Sequence, residues 1–153
     1  MDEKEKAVYR VREFTRFYMP MLELLGNHYL GSEYSATEAR VLFEVYEHDG
    51  CNAAHIASTM NIDKSYLSRI IKSHESKGYL VRMVSKTDSR SRELHLTELG
   101  VELTRDFIRR SNAQIGEILA PLNGETCEAL MHALDTVTEL LKDCRNKQNG
   151  LQE

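Results

Sequence analysis

The residues from Asn52 to Gly78 constrain this chain more than any other part of it. Asn52 stands before a short apolar-periodic run, 53–60, in the position of a helix cap. Asn61-Ile62-Asp63 is a three-residue turn, and Asp63 stands as a second cap before the run 64–77. Gly78 falls where a C-terminal glycine ends a helix. A short helix, a three-residue turn and a second helix make a helix-turn-helix.

The flanks extend that core. Ser35-Ala36-Thr37-Glu38 is a capping box that opens a helix ended by Asp49-Gly50. Beyond Gly78, two β-prone runs, 80–84 and 93–97, are joined by a polar link. In the second run Leu94 and Leu96 share one side, with Glu93 and His95 on the other. A hairpin in this place is a wing. The first segment, 4–28, has Val8, Val11, Phe14, Tyr18, Met21, Leu25 and His28 at spacings of three and four. It is expected to be one long amphipathic helix that Pro20 kinks or breaks. Thr97 caps another long helix, which Pro121 stops. A last helix is expected over 124–145, with a frayed tail after Lys147. The expected class is mainly α with a small β-hairpin wing: a winged helix-turn-helix plus a helical region, in a single subunit over 1–153.

The net charge is −4, which argues against a nucleic-acid binder until its distribution is considered. Between Lys64 and Arg92 eight basic residues face two acids, a net +6 that leaves the rest of the chain at −10. A basic lobe on an acidic body suits a protein that meets a phosphate backbone with one face. On the 64–77 helix, Leu67, Ile70, Ile71 and His74 fall on one stripe and face the core. The opposite stripe holds Ser65, Arg69, Lys72 and Ser76, with Ser68 beside it, and has neither a large apolar residue nor an acid. Hydroxyls allow close approach to a groove floor, and Arg or Lys bonds guanine edges or phosphates. In the link, Lys86, Arg90 and Arg92 suit a minor groove, and Asp88 is expected to hold one arginine in a bidentate pair.

Other classes have less behind them. No apolar run is long enough to span a bilayer and no signal segment opens the chain, so a cytoplasmic protein without a membrane partner is expected. Three cysteines, Cys51, Cys127 and Cys144, do not form a secreted disulfide framework. Cys51, on a loop, is the one redox candidate. His48, Cys51 and His55 cluster near one loop, but three such residues at one turn without a tight C-x-x-C are a weak signal, so no metal is expected. No phosphate loop, nucleophile elbow or metal triad is present, so neither catalysis nor a cofactor is expected.

The stretches Ser65-Tyr66-Leu67-Ser68-Arg69-Ile70-Ile71, Gly78-Tyr79-Leu80-Val81-Arg82, Asp88-Ser89-Arg90-Ser91-Arg92 and Leu96-Thr97-Glu98-Leu99-Gly100 resemble the MarR family of winged-helix regulators. The D-x-R-x-R wing followed by L-T-x-x-G is the most specific part of that likeness. The resemblance implies a homodimer joined through 1–30 and 98–146, with the lobe 35–97 on a pseudo-palindromic double-stranded operator. On the recognition helix it implies DNA-binding roles for Lys64, Ser65, Ser68, Arg69 and Lys72. On the wing it implies them for Lys86, Asp88, Arg90 and Arg92, and near a helix start for Thr37 and Arg40 against phosphates. It also implies a repressor released by a small anionic or phenolic effector. Phe14-Thr15-Arg16-Phe17-Tyr18 and 35–42 look like the MarR half of fusions to a GNAT acetyltransferase. No second domain or Gly-rich acetyl-CoA loop follows here, so acetylation is not expected of this chain. The alternative function is a winged-helix module that docks a separately encoded acetyltransferase. Such a surface needs apolar anchors, which the cation-only stripe lacks.

Overall fold

The computed structural model describes residues 1–151. The elements run α1 (Glu3–Met21), α2 (Ala36–Glu47), α3 (Ala53–Met60), α4 (Lys64–Ser76), β1 (Leu80–Val84), β2 (Arg92–Leu96), α5 (Glu98–Leu119) and α6 (Gly124–Gly150), with one turn of 3-10 helix at Tyr29–Gly31. The chain divides into two compact units, Met1–Ala113 and Gln114–Glu153.

Helix starts follow the capping signals. Ser35 and Glu38 close a capping box at α2, Asn52 accepts from the His55 amide at α3, and Asp63 accepts from the Tyr66 amide at α4. Asn61 takes a left-handed conformation (φ 52°) that ends α3, a geometry asparagine tolerates better than most residues. These caps set the entry angle of α4, and its apolar stripe then does the packing. Leu67, Ile70, Ile71 and His74 are its buried residues. Leu67, Ile70 and Ile71 join Val41 and Val45 of α2, Ile56 of α3, Leu80 of β1 and Leu94 of β2 in one core. Each fully buried Leu or Ile contributes about 1.5–3 kcal/mol. A second cluster, Tyr34, Ala39, Leu42 and Phe107, sits between α2 and α5.

β1 and β2 are antiparallel, in register from Leu80 opposite Leu96 to Val84 opposite Arg92. The loop after α2 adds a short third rung: the Gly50 amide donates to the Leu94 carbonyl at 2.9 Å, and the Leu94 amide donates to the Cys51 carbonyl at 2.8 Å. His95 reinforces that rung, with Nδ1 donating to Asp49 at 2.8 Å and Nε2 to Glu93 at 3.1 Å. The hydrogen bond to Asp49 is the chief reason its pKa is raised.

Behind the hairpin, Thr97 latches the end of α4 to the start of α5. Its amide donates to the Tyr79 carbonyl at 3.0 Å, and its hydroxyl donates to the Gly78 carbonyl at 2.6 Å. That hydroxyl also accepts from the Gly100 amide at 3.1 Å. α5 comes so close here that a Cβ on Gly100 would lie 2.9 Å from the Tyr79 carbonyl carbon and nearer still to its oxygen.

Two element boundaries differ from the sequence expectation. α1 ends at Met21 rather than continuing to His28. Pro20 has no amide to donate, and Glu23 (φ 55°) and Gly26 (φ 102°) then turn the backbone left-handed. At the other end α6 stays helical through Gly150, so the fraying expected after Lys147 is not seen among the described residues. Neither α1 nor α6 contains a buried residue, although both carry large apolar side chains.

Candidate nucleic-acid interface

α4 separates its two faces cleanly. Opposite the buried stripe, Ser65, Arg69, Lys72 and Ser76 are exposed; Ser68 beside them is half-buried, and Lys64 at the start of the helix is exposed at its edge. Tyr66 belongs with them. It is exposed, and the Arg69 guanidinium lies over its ring at 5.9 Å, a cation–π arrangement that steadies a flexible arginine. Reading the helix by periodicity alone passed over Tyr66; the signal was an aromatic three residues before an arginine on the solvent side. Arg82, counted among the basic residues of the lobe, is engaged by Glu75 at 3.3 Å. Among residues 64–92, the basic side chains other than Arg82 lie on or just after α4 and in the wing, without an acid partner among the described residues.

His74 anchors this helix from below. It is fully buried, and its Nε2 donates to the Glu38 carbonyl of α2 at 2.9 Å, as expected of a core histidine. Its Nδ1 has no hydrogen-bond partner among the described residues. Burial, the largest influence, lowers its pKa, which keeps the ring neutral.

The wing tip is a tight polar loop. The Ser85 amide donates to the Ser91 carbonyl and the Ser91 amide to the Asp88 carbonyl, each at 3.1 Å. Asp88 does not pair with an arginine side chain, contrary to expectation. Its carboxylate accepts from the Arg90 backbone amide at 3.0 Å. A side chain this short folds back onto the amide two residues on, as aspartate does in turns. Arg92 donates to the Ser89 carbonyl at 3.2 Å, while Lys86 and Arg90 are exposed. Asp88, Arg90 and Arg92 share a cleft of about 460 Å³ with Arg82 and with Asn52 and Ala53 at the start of α3. The wing's basic groups and the first helix of the helix-turn-helix thus meet on one surface.

Thr37 and Arg40 lie apart from that surface, on α2. Arg40 is held by Glu44, Nε to Oε1, at 2.6 Å and lies over Phe43 at 5.9 Å. Both Thr37 and Arg40 line a cavity of about 550 Å³, together with Tyr29, Phe43, Phe107 and Ser111. Aromatic walls with one cation and three hydroxyls, those of Tyr29, Thr37 and Ser111, suit a small aromatic or anionic molecule.

Comparison with known proteins agrees with this architecture. Residues 34–91 match the model of the MarR family. The chain is 29% identical to the organic hydroperoxide resistance transcriptional regulator of Bacillus subtilis (strain 168), over 85% of this chain and 82% of that protein. It is 25% identical to the HTH-type transcriptional regulator MhqR of the same organism, over 96% of this chain and all (100%) of that protein. Among solved structures, Streptococcus pneumoniae FabT in complex with DNA superposes with a TM-score of 0.69 at 20% identity, covering 93% of this chain and 99% of that one.

Proposed function

We propose, for a chain that carries a MarR-family winged-helix domain at residues 34–91, that it is a homodimeric transcriptional regulator of double-stranded DNA. One observation carries the reading: the stripe of α4 directly opposite its buried residues bears Arg69 and Lys72 with Ser65 and Ser76 and no acid, while the stripe it backs onto is wholly buried. α4 enters the major groove, where Ser65, Ser68, Arg69 and Lys72 read base edges. The wing reaches the adjacent minor groove with Lys86 and Arg90, and Asp88 shapes the loop that presents Arg90. Lys64 and Arg92 meet phosphates, as do Thr37 and Arg40 at the start of α2. The solved complex of FabT with DNA, built on the same fold, supports this docking.

The lobe 35–97 is the reader, and 1–30 with 98–146 form the dimer. The apolar faces of the terminal helices support this: Val8, Val11 and Phe14 on α1 and Leu134, Val137 and Leu141 on α6 are all exposed in a single chain. Continuous apolar stripes of this kind are covered by a partner in solution. The cavity beside Arg40 takes the effector, a small anionic or phenolic molecule. Binding there favours a subunit arrangement that fits DNA poorly, so repression is lifted by differential affinity for the two states. The protein acts in the cytoplasm and catalyses no reaction; both curated relatives are named as transcriptional regulators.

The test is fluorescence anisotropy on DNA upstream of the protein's own gene, against scrambled DNA, at two salt concentrations. A regulator binds the first selectively and loses affinity with a slope of about −0.9 in log K per log salt for each phosphate contacted. Equal, weak binding to both sequences, repeated across a genomic library, refutes the reading.

A further inference from the structure

The loop that joins α2 to α3 brings together three metal-binding side chains that the DNA interface does not use. Glu44 is on the last turn of α2, His48 is the residue that caps it, and His55 is in the first turn of α3. One donor atom from each lies within 4.8 Å of the other two. We propose that Glu44, His48 and His55 form a site for a divalent first-row transition ion, of the zinc, cobalt and nickel class, which pins the end of α2 to the start of α3.

The donor set selects the ion. Two imidazoles with one carboxylate suit borderline metals, whereas magnesium and calcium require oxygen ligands. The geometry is close to what such an ion needs. With bonds of about 2.0–2.2 Å, tetrahedral donors stand roughly 3.4 Å apart. Closing the present spacing takes a shift on the order of 1 Å at the ring nitrogens. Both histidines are exposed, so rotation about their side-chain bonds supplies that shift without moving the backbone. Solvent completes the coordination.

Glu44 is the fixed member. It is buried, with only 3% of its surface exposed, and Arg40 Nε holds one of its oxygens at 2.6 Å. That charged hydrogen bond orients the carboxylate, while its remaining lone pairs are available to a metal. The two rings face each other edge-on, with centroids 5.0 Å apart. Neither ring makes a hydrogen bond to protein among the described residues, so both have ring nitrogens to offer. His48, Cys51 and His55 are a weak signal in the sequence; in the structure the third donor beside the two histidines is Glu44, one helical turn before His48, and not Cys51.

The full-length protein, stripped with a chelator and exchanged into metal-free buffer, is titrated with zinc chloride and separately with cobalt chloride. Calorimetry follows the first, and visible absorption of the cobalt form the second. One ion per chain and a rise in thermal midpoint are expected. His48→Gln with His55→Gln, both at exposed positions and so compatible with folding, should weaken binding by about 100-fold and abolish the rise, with an unchanged circular dichroism spectrum. Cys51→Ser should bind as the parent does. Absence of stoichiometric uptake by the parent overturns the site. Equal affinity in the double-histidine variant also overturns it, since the ion then belongs to other side chains. A loss in Cys51→Ser as large as that in the histidine variant overturns the donor set.

Discussion

Gly100→Ala gives the sharpest test of how the hairpin is mounted on the helices. In an open helix position this change stabilises, because alanine is favoured over glycine by about 0.8–1.0 kcal/mol. At Gly100 the new Cβ would lie 2.9 Å from the Tyr79 carbonyl carbon and 3.2 Å from its Cα, and closer still to the oxygen. Carbon atoms pack best at about 3.5–4.0 Å, so α5 and residue 79 must separate by roughly 1 Å. Neither side of the contact is a flexible side chain, so the strain goes into the backbone. Overpacking of this sort costs about 1–3 kcal/mol. The retreat also stretches the Thr97 amide bond to the Tyr79 carbonyl, now 3.0 Å, worth about 1 kcal/mol. Set against the propensity gain, a net loss of about 1–3 kcal/mol is expected. With a urea m-value of about 1–3 kcal/mol/M, the midpoint falls by roughly 1 M. Gly116→Ala is the control, because nothing lies within 4 Å of a Cβ there; it should raise stability by about 0.5–1 kcal/mol. Both variants are unfolded in urea at one protomer concentration, since a dimer's stability depends on it. If Gly100→Ala matches or exceeds the parent while Gly116→Ala behaves as stated, the close approach does not bear on stability and the reasoning is wrong.

Three further outcomes are expected. Arg69→Ala should cost about 1–3 kcal/mol of DNA affinity and relax selectivity at one base pair, while Arg90→Ala should flatten the salt slope by about 1; anisotropy with operator and mismatched duplexes reads both, and unchanged slopes would remove the wing from the interface. Leu134→Glu with Val137→Glu, on the exposed face of α6, should halve the molar mass measured by light scattering; an intact dimer would place the interface elsewhere. The thermal midpoint should fall on both sides of neutrality. Buried His74 has a lowered pKa, so the unfolded chain takes up its proton first, and stability is lost as pH drops from about 6.5 toward the folded value. His95 has a raised pKa, chiefly through Asp49, so its contribution is complete below about 6.5 and is lost as pH rises through the folded value. His95→Gln should remove the alkaline loss alone, and a profile identical to the parent's would exclude that assignment.

What the sequence disclosed and what it concealed divide along a physical line. Caps, the turn at Asn61 and the inward stripe of α4 are local: each needs only neighbours within one or two turns of chain. The end of α1 was legible in part: Pro20 marks a kink or break and α1 ends one residue after it, but Leu25 and His28 continue the helical spacing, and periodicity does not register that the backbone turns left-handed at Glu23. Asp88 was assigned an arginine side chain by charge, when the nearer partner was a backbone amide. Glu44 does not stand out beside His48 and His55 in the sequence, because its burial and its nearness to both imidazoles arise only when α2 is packed. Gly100 stood in the L-T-x-x-G motif as a mark of family likeness. Its physical reason, a carbonyl from residue 79 in the space of a side chain, is a contact between residues about twenty apart and leaves no periodic trace.

The two faces of α4 share no side chain. Leu67, Ile70, Ile71 and His74 are committed to the core, while Ser65, Arg69, Lys72 and Ser76 touch none of it and are exposed. If α4 reads DNA as proposed, substitutions on the outer set change what it recognises at little cost to folding, since exposed positions away from packing shift stability by only about 0.5 kcal/mol. A lineage built on this scaffold can drift from one target sequence to another through folded intermediates, and a library randomised at those positions should consist mainly of soluble proteins. Recognition and foldability are inherited separately in this chain, and the boundary between them runs lengthwise down a single helix.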